Sequence, residues 1–455
     1  MSGEAGGRGS RAAILEAPLV PTLLTMWWPL ALTSLVGEAQ GFISMFWIGR
    51  LIGESGLATL AVMSPVLTTL AFISGTFPVG VQVLAAQSMG RQDGEAIPVI
   101  VNGGYMGAVF GAMIAFTGAV FLWPIARMLA GDLGIAQSLQ SYLLPWSLGY
   151  IVPVVGGVAM FAVGATGWTR FGLFQSIVSI GFMIVLMPIF VRFLHLGLTG
   201  VALSDVSSDI MLFVLTSWAL YKFRNELELG PWRREHWRLD FRWWKKILAI
   251  GVPFQAARAM DSVAQIVLVR VLMETGQKAV VAGYGIAMFV MMLVMSFFCA
   301  IGVAAGIIIG QNVGAKNLAR ANATLRLTVL WIAGVAVVLV VLATFATPIF
   351  WVFTDSEAVV AQAGATIGAL KWAMPAGMLS AILLRSFTAV SPNKLGNALS
   401  ILCALVSIGI AIVWPGTAFH RIVAAILIPA YLRLALLALV FPRYFSGAIR
   451  RRSDG

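Results

Sequence analysis

Charge is scarce in this 455-residue chain: only 11% of its residues are Asp, Glu, Lys or Arg. An ordinary soluble domain carries about 25%. That shortage excludes a water-soluble enzyme and a disordered tail, both of which need polar surface. Cysteine is nearly absent, with Cys299 and Cys403 alone, which excludes a disulfide-stapled secreted module. Both lie in apolar runs and read as small buried side chains. The three histidines, His195, His236 and His420, are too few and too dispersed for a haem or a zinc site. The chain also lacks a GxxxxGK(S/T) phosphate loop, an HExxH helix and a GxSxG nucleophile with a partner histidine. No enzyme, no bound cofactor and no ATP hydrolysis are therefore expected.

What the chain has is apolar sequence: 60% hydrophobic residues and a mean hydropathy of +0.94. Barrel strands alternate and do not make long apolar runs. A polytopic helical membrane protein remains, an all-α fold in the lipid bilayer. A span needs roughly 20 mostly apolar residues. Such runs lie near 22–50, 57–87, 96–123, 138–165, 171–193 and 197–221. Six more lie near 247–273, 279–311, 322–350, 358–387, 395–415 and 420–442. The first run is too long for a cleavable signal, and no small-residue cleavage site follows it.

The formal charge is +12, and its placement matters more than its size. Lys222, Arg224, Arg233, Arg234, Arg238, Arg242, Lys245 and Lys246 crowd one stretch between the sixth and seventh runs, and Arg450, Arg451 and Arg452 close the chain. Such clusters mark the cytoplasmic side and meet anionic lipid, so nucleic acid is not an expected partner. Trp232, Trp237, Trp243 and Trp244 in the same stretch suit a lipid interface. Arg91, Lys316, Arg320 and Lys394 fall in loops of the same parity, whereas the opposite loops hold Arg50 with Glu54 and Asp355 with Glu357. Both termini and the central loop of this multi-pass protein are expected in the cytoplasm.

The chain also repeats itself. A shift of 224 residues places Gln87-Ser88-Met89-Gly90 on Gln311-Asn312-Val313-Gly314, Arg170 and Gly172 on Lys394 and Gly396, and Pro29 on Pro253. The expected organisation is an amino-terminal bundle over 1–222, a basic linker over 223–246 and a carboxy-terminal bundle over 247–455. Six spans per half give the halves the same orientation and leave a pathway between them.

These features resemble the multidrug and toxic compound extrusion (MATE) family of secondary transporters, bacterial type. Trp28-Pro29-Leu30-Ala31 opens the first span and Ile48-Gly49-Arg50-Leu51-Ile52-Gly53 closes it. Ala86-Gln87-Ser88-Met89-Gly90 and Gly310-Gln311-Asn312-Val313-Gly314 resemble the family's glutamine–glycine signature. Gly251-Val252-Pro253 opens the seventh span and Leu384-Arg385 closes the tenth. The resemblance implies two pseudo-symmetric six-helix bundles forming a V, by alternating access exporting organic, often cationic and amphipathic, compounds in exchange for protons or sodium ions. The alternative is a flippase or exporter of a lipid-linked or natural-product substrate. The partners are then a small organic substrate and the bilayer, a bacterial inner membrane by the same resemblance, with the chain acting as a monomer. Where many members carry an Asp late in the first span, this chain has Ser44. A second family Asp, in the fifth span, falls on Met187, and a third acid, in the tenth, falls near Met374. The usual amino-terminal coupling acid is missing or moved.

A charge at mid-span costs at least about 2.5–3.5 kcal/mol, so an acid there is a functional candidate. Asp261 lies about ten residues into the seventh span, where the resemblance implies the family's seventh-span acid. It is a candidate to carry a proton or, as a metal site, sodium, and a candidate for substrate. Arg258 one turn earlier, or Lys371 from the tenth span, offers a structural ion pair instead. Glu38 lies midway in the first span, and a 223-residue shift places it on Asp261. It is a candidate for coupling or for binding a substrate cation, or for an interhelical hydrogen bond with Gln40 or a neighbouring span. Asp205 and Asp209 share one face of the sixth span and make either a cation site or a water-facing stripe. Substrate contacts are expected from Glu38, Asp261, Lys371 and Gln40. Arg270 and Arg385 read as side chains snorkelling to the interface. The 27 Phe, 15 Trp and 20 Met suit a polyspecific cavity. Pro153, Pro188, Pro253 and Pro375 fall inside spans and permit bending there.

Overall fold

The computed structural model describes residues 11–52, 54–130, 133–223, 240–273, 278–353 and 355–453. The basic stretch from 224 to 239 lies outside these residues. All regular structure among the described residues is helical, as a chain with little polar surface requires: in lipid each backbone amide must find its partner within its own segment. Two compact units emerge, Met1–Gln255 with Gly310–Ala315, and Ala256–Ile309 with Lys316–Gly455.

The first unit is built from α1 (Arg11–Glu16), α2 (Leu19–Leu51), α3 (Glu54–Arg91), α4 (Ala96–Ala130), α5 (Leu133–Gly149), α6 (Ile151–Ala165), α7 (Thr169–Pro188) and α8 (Gly197–Lys222). It also takes the front of α9 (Phe241–Met273) and the last turn of α10 (Lys278–Gly314). Its largest core joins α3, α4 and α6 through Val81, Ile97, Ile100, Val158 and Ala162, and reaches Ile247, Ile250 and Phe254 on α9. Glycines allow that approach. A Cβ on Gly251 would strike the carbonyl of Thr76, and one on Gly80 would meet that of Ile247. Without side chains at these points, two helix backbones touch directly. Asp240 starts α9: its Oδ1 accepts from the Arg242 amide at 2.9 Å, and that bond holds its carboxyl below the usual range.

The second unit holds the rest of α9 and α10 with α11 (Leu318–Ala343), α12 (Thr347–Phe350), α13 (Glu357–Leu370), α14 (Ala373–Val390), α15 (Lys394–Val413) and α16 (Ala418–Ser453). Here α14, α15 and α16 pack side by side, and Ala287, Val290, Phe350, Ala363 and Ile367 form a smaller core at α10, α12 and α13.

Several single runs of the sequence are broken. The run at 138–165 becomes α5 and α6, bent by 46°, with Pro153 in the first turn of α6, where a proline's missing N–H costs nothing. The run at 358–387 becomes α13 and α14, separated at Lys371 and Trp372, with Pro375 again in a first turn. After Pro188, the run at 171–193 ends in a π-turn, Ile189–Phe193. By contrast, α9 continues through Pro253. Among the described residues nine helices are long and apolar enough to cross a membrane, ten if the bent pair is one span. At 33 residues α9 is also long enough, but Arg258, Asp261 and Arg270 lower its hydropathy, and it is not among the nine.

The repeat has a structural counterpart at the ends of α3 and α10. Gln92 and Lys316, 224 apart in number, both adopt left-handed backbone, with φ of 59° and 58°. One residue on, Asp93 Oδ1 accepts from the Ala96 amide at 3.1 Å, and Asn317 Oδ1 accepts from the Arg320 amide at 3.1 Å. The two glutamine–glycine segments cross each other. A Cβ on Gly90 would collide with the Gln311 carbonyl, and one on Gly314 with the Gln87 carbonyl. Gln311 Nε2 donates to the Ala165 carbonyl at 2.8 Å, and Arg11 Nη2 donates to the Gly90 carbonyl at 3.1 Å, placing positive charge at a helix carboxyl end.

Gly314→Ala is therefore expected to destabilise the protein by about 2 kcal/mol through overpacking. Gly306→Ala, on the same helix, meets nothing within 4 Å and should be neutral or stabilising, because alanine favours helix. Thermal unfolding of the detergent-purified variants compares the two; equal melting temperatures would remove any special role for the crossing.

Candidate functional site

In the first unit, α8 carries two polar faces. Ser204 and Ser208 lie towards α7, where Ser179 donates to the Ser208 carbonyl at 3.3 Å. Gln175 of α7 bonds Thr216 and the Leu212 carbonyl, the latter at 3.0 Å. Asp205 and Asp209 are one residue further round the helix, about 100° away. There Tyr142 of α5, only 2% exposed, donates its hydroxyl to Asp205 Oδ2 at 2.9 Å. Asp209 stands one turn along, within electrostatic reach of both Asp205 and Tyr142. Both carboxylates are half-buried. Asp205 is thus held by a buried tyrosine.

The same neighbourhood contains the positions where the coupling aspartates were expected. Ser44 donates to the Met183 sulfur at 3.8 Å. Met183 and Met187 are fully buried and share a core with Ile48, Tyr142, Leu143 and Val201. An apolar contact between α2 and α7 thus stands where the resemblance implied acids. The acids here are on α8, across Tyr142 from that core.

Glu38 and Gln40 are half-buried on α2. Among the described residues Glu38 forms no side-chain hydrogen bond or ion pair. The expected Glu38–Gln40 bond is absent for a geometric reason: two residues on a helix turn through about 200° and face apart. Glu38 also does not face Ser44, since six residues leave the two side chains on different sides of α2.

In the second unit Asp261 is held by neither residue expected. Its partner is Arg433 of α16, 172 residues away in sequence. The pair is bidentate, with Nη1 to Oδ2 at 3.0 Å and Nη2 to Oδ1 at 2.5 Å. This fork geometry is the strong form of an arginine–carboxylate contact. The side chains are 20% (Arg433) and 37% (Asp261) exposed, and the Cys403 thiol lies against the same guanidinium. Both oxygens of Asp261 thus hold the arginine where a sodium ion would sit. Lys371, at the break between α13 and α14, instead donates to Thr344 Oγ1 at 3.0 Å and lies over the Trp372 ring. Among the described residues no group of three His, Cys, Asp or Glu is arranged to hold a metal.

Arg385 was expected to snorkel to the interface. It is half-buried on α14, and its electrostatic neighbours are Arg258 of α9 and the Cys299 thiol of α10. Sequence reasoning missed Arg433 and Tyr142. An arginine midway in the apolar run at 420–442, away from Arg421 at its start, was a readable signal for the first. One tyrosine among seven carried none for the second.

Comparison with known proteins gives the fold its context. The chain is 24% identical over 324 residues to the probable multidrug resistance protein YoeA of Bacillus subtilis, covering 69% of each chain. It is 23% identical over 358 residues to an FAD transporter of Shewanella oneidensis, covering 76% of this chain and 77% of that one. Its fold matches that of a MOP superfamily transporter from Pyrococcus furiosus with a TM-score of 0.86 at 17% identity, over 95% of this chain and 98% of the other. The MatE family model matches twice, over residues 29–189 and 253–413. The second match starts 224 residues after the first (253 against 29) and ends 224 after it (413 against 189), the same offset as the internal repeat. With most of its length matched in this way, the chain belongs to the MatE family, and it is a membrane transporter rather than an enzyme.

Proposed function

We propose that the protein is a secondary active antiporter of the inner membrane, exporting organic compounds in exchange for protons or sodium ions. Asp205 and Asp209 load and release the coupling ion. The observation that carries this reading is the Tyr142–Asp205 bond with Asp209 one turn beyond it, deep among apolar helices. Two carboxylates on one helix face repel each other when both are ionised, and a bound cation relieves that repulsion. Tyr142 orients one carboxylate, so ion loading can be felt by α5 as well as α8.

In this reading the chain crosses the membrane twelve times, as two bundles of six with a basic linker over 223–246. The nine apolar helices, the bent α5–α6 pair, α3 and α9 make up that number, with α13 completing the span of α14. The basic loops put both termini in the cytoplasm. The protein works as a monomer. Acids at 38, 205 and 209 suit a compound that carries positive charge, and the relatives named for multidrug resistance and for FAD transport support organic cargo. Sodium at Asp261 would require Arg433 to withdraw first. A flippase for lipid-linked compounds gains support from the arginines of the second unit.

Inverted membrane vesicles test the reading. Ethidium, or carboxyfluorescein for an anionic cargo, should accumulate only when a pH or sodium gradient is imposed. One proton moving down 100 mV supplies about 2.3 kcal/mol. Movement of either dye at the same rate without any gradient would refute coupling.

A further inference from the structure

Four segments meet at one end of the first unit. The last turns of α3 and α10 cross there, and the connection from α6 to α7 offers the Ala165 carbonyl to Gln311 Nε2 at 2.8 Å. The fourth segment is α1, a helix of 6 residues ahead of the first apolar run. It is too short to cross a bilayer, yet two contacts hold it in place. Arg11 Nη2 donates to the Gly90 carbonyl at 3.1 Å, and Gly90 is the residue whose missing side chain admits the Gln311 carbonyl. One turn along, Ile14 is 2% exposed, and its Cδ1 lies 2.6 Å from the place of a Cβ on Gly167. Gly167 has left-handed backbone, with φ of 87°, and follows Ala165 by two residues. The charged contact of α1 thus grips the α3 side of the crossing. Its apolar contact rests on the connection that holds the α10 side.

The joint behind α1 is short. Ala17 and Pro18 separate it from α2, and Pro18 is extended, with φ of −52° and ψ of 133°. Proline has no N–H to carry a helix through this point, and it disfavours helical backbone in the residue before it. The two helices therefore stay separate, and α1 pivots as a unit. A helix of this length does not hold its own shape in water, so its place depends on Arg11 and Ile14.

We propose that α1 is a latch on the crossing. Docked, it holds the two glutamine–glycine segments together. Swung out about Ala17 and Pro18, it lets them part, a step that the transport cycle needs. This rests on the reading of the protein as an exporter. The strength of the contacts suits a latch: a charge-assisted bond or one buried isoleucine each shifts an equilibrium by roughly tenfold to a hundredfold. That biases the docked state and still allows release.

Two measurements on the full chain test the latch. Hydrogen exchange followed by mass spectrometry, with no gradient imposed, reads opening at 86–92 and 310–316. Arg11→Gln and Ile14→Ser should each raise exchange there about tenfold. Arg11→Lys should keep part of the protection, and Glu16→Gln, exposed on the same helix, should change nothing. Ethidium uptake by inverted vesicles under a gradient reads the cycle. Arg11→Gln and Ile14→Ser should speed it. A cleavable bis-maleimide joining Ala12→Cys to Arg91→Cys, both exposed or half-exposed positions beside the contact, should stop it until the linker is reduced. The unaltered protein, which carries Cys299 and Cys403, is the blank. Should Ile14→Ser fail to fold, the cross-linked protein still decides the question. Unchanged exchange in both weakened variants overturns the latch, and so does uptake that continues through the cross-link. Faster exchange with unchanged or slower uptake overturns it too, since α1 would then only brace the fold. Dye movement that ignores the gradient in every variant refutes ion coupling, whereas exchange and the cross-link still decide the latch.

Discussion

Asp205→Asn is expected to abolish gradient-driven export while leaving the protein folded. The asparagine keeps the shape of the side chain and still offers an oxygen to the Tyr142 hydroxyl, which now bonds Asp205 at 2.9 Å. What it loses is the ability to exchange a cation. An ionised carboxylate at this depth is costly to maintain, so its removal should not lower thermal stability. One coupled proton at 100 mV can sustain a cargo gradient of about fiftyfold, and in the variant that ratio should fall to one. Asp209→Asn should behave alike, because the two carboxylates act on one another. Glu38→Gln should leave most of the gradient dependence intact, since Glu38 lies apart from Tyr142 on α2. Dye accumulation in vesicles at matched protein levels reads all three. Coupling would move to α2 if Glu38→Gln lost gradient dependence and Asp205→Asn kept it.

The second large effect concerns Asp261 and Arg433. Asp261→Asn leaves a guanidinium that is 20% exposed without its carboxylate, inside a bundle of α9, α15 and α16. Breaking such a pair from one side costs about 2 kcal/mol, less than a fully buried pair because Asp261 is partly open. Arg433→Met together with Asp261→Asn should recover most of that loss, since neither partner then remains charged. Unfolding of the two singles and the double in one detergent reads the coupling energy directly. Transport separates structure from mechanism: the double variant should keep its gradient dependence. A stable double variant that had lost it would make Asp261 a coupling residue after all.

The two aspartate sites differed in how far they could be read from the chain. The pairing of Asp205 with Asp209 follows from helical spacing alone, because residues four apart share a face whatever surrounds them. The partner of Asp261 does not. Spacing offered Arg258 and Lys371, whereas Arg433 holds it, and which cation wins depends on how helices from distant parts of the sequence lie together. Lys371 bonds Thr344 instead. Ser44 and Met187 show the limit from the other side. The resemblance identified them as places where acids were lost, but that both border the buried core of Tyr142 is a fact of packing.

The sequence by itself determined that this protein is helical, embedded in lipid and built as a repeat with an offset of 224 residues. Those properties belong to runs of residues: a bilayer interior without water obliges each long apolar run to satisfy its own backbone as a helix. Tertiary structure alone decided that α5 and α6 bend apart, that two glutamine–glycine turns cross backbone to backbone, and that Arg433 claims Asp261 while Tyr142 claims Asp205. Side chains in an apolar interior take whichever polar partner the neighbouring helix brings within about 3 Å, and that depends on packing between helices rather than on order along the chain.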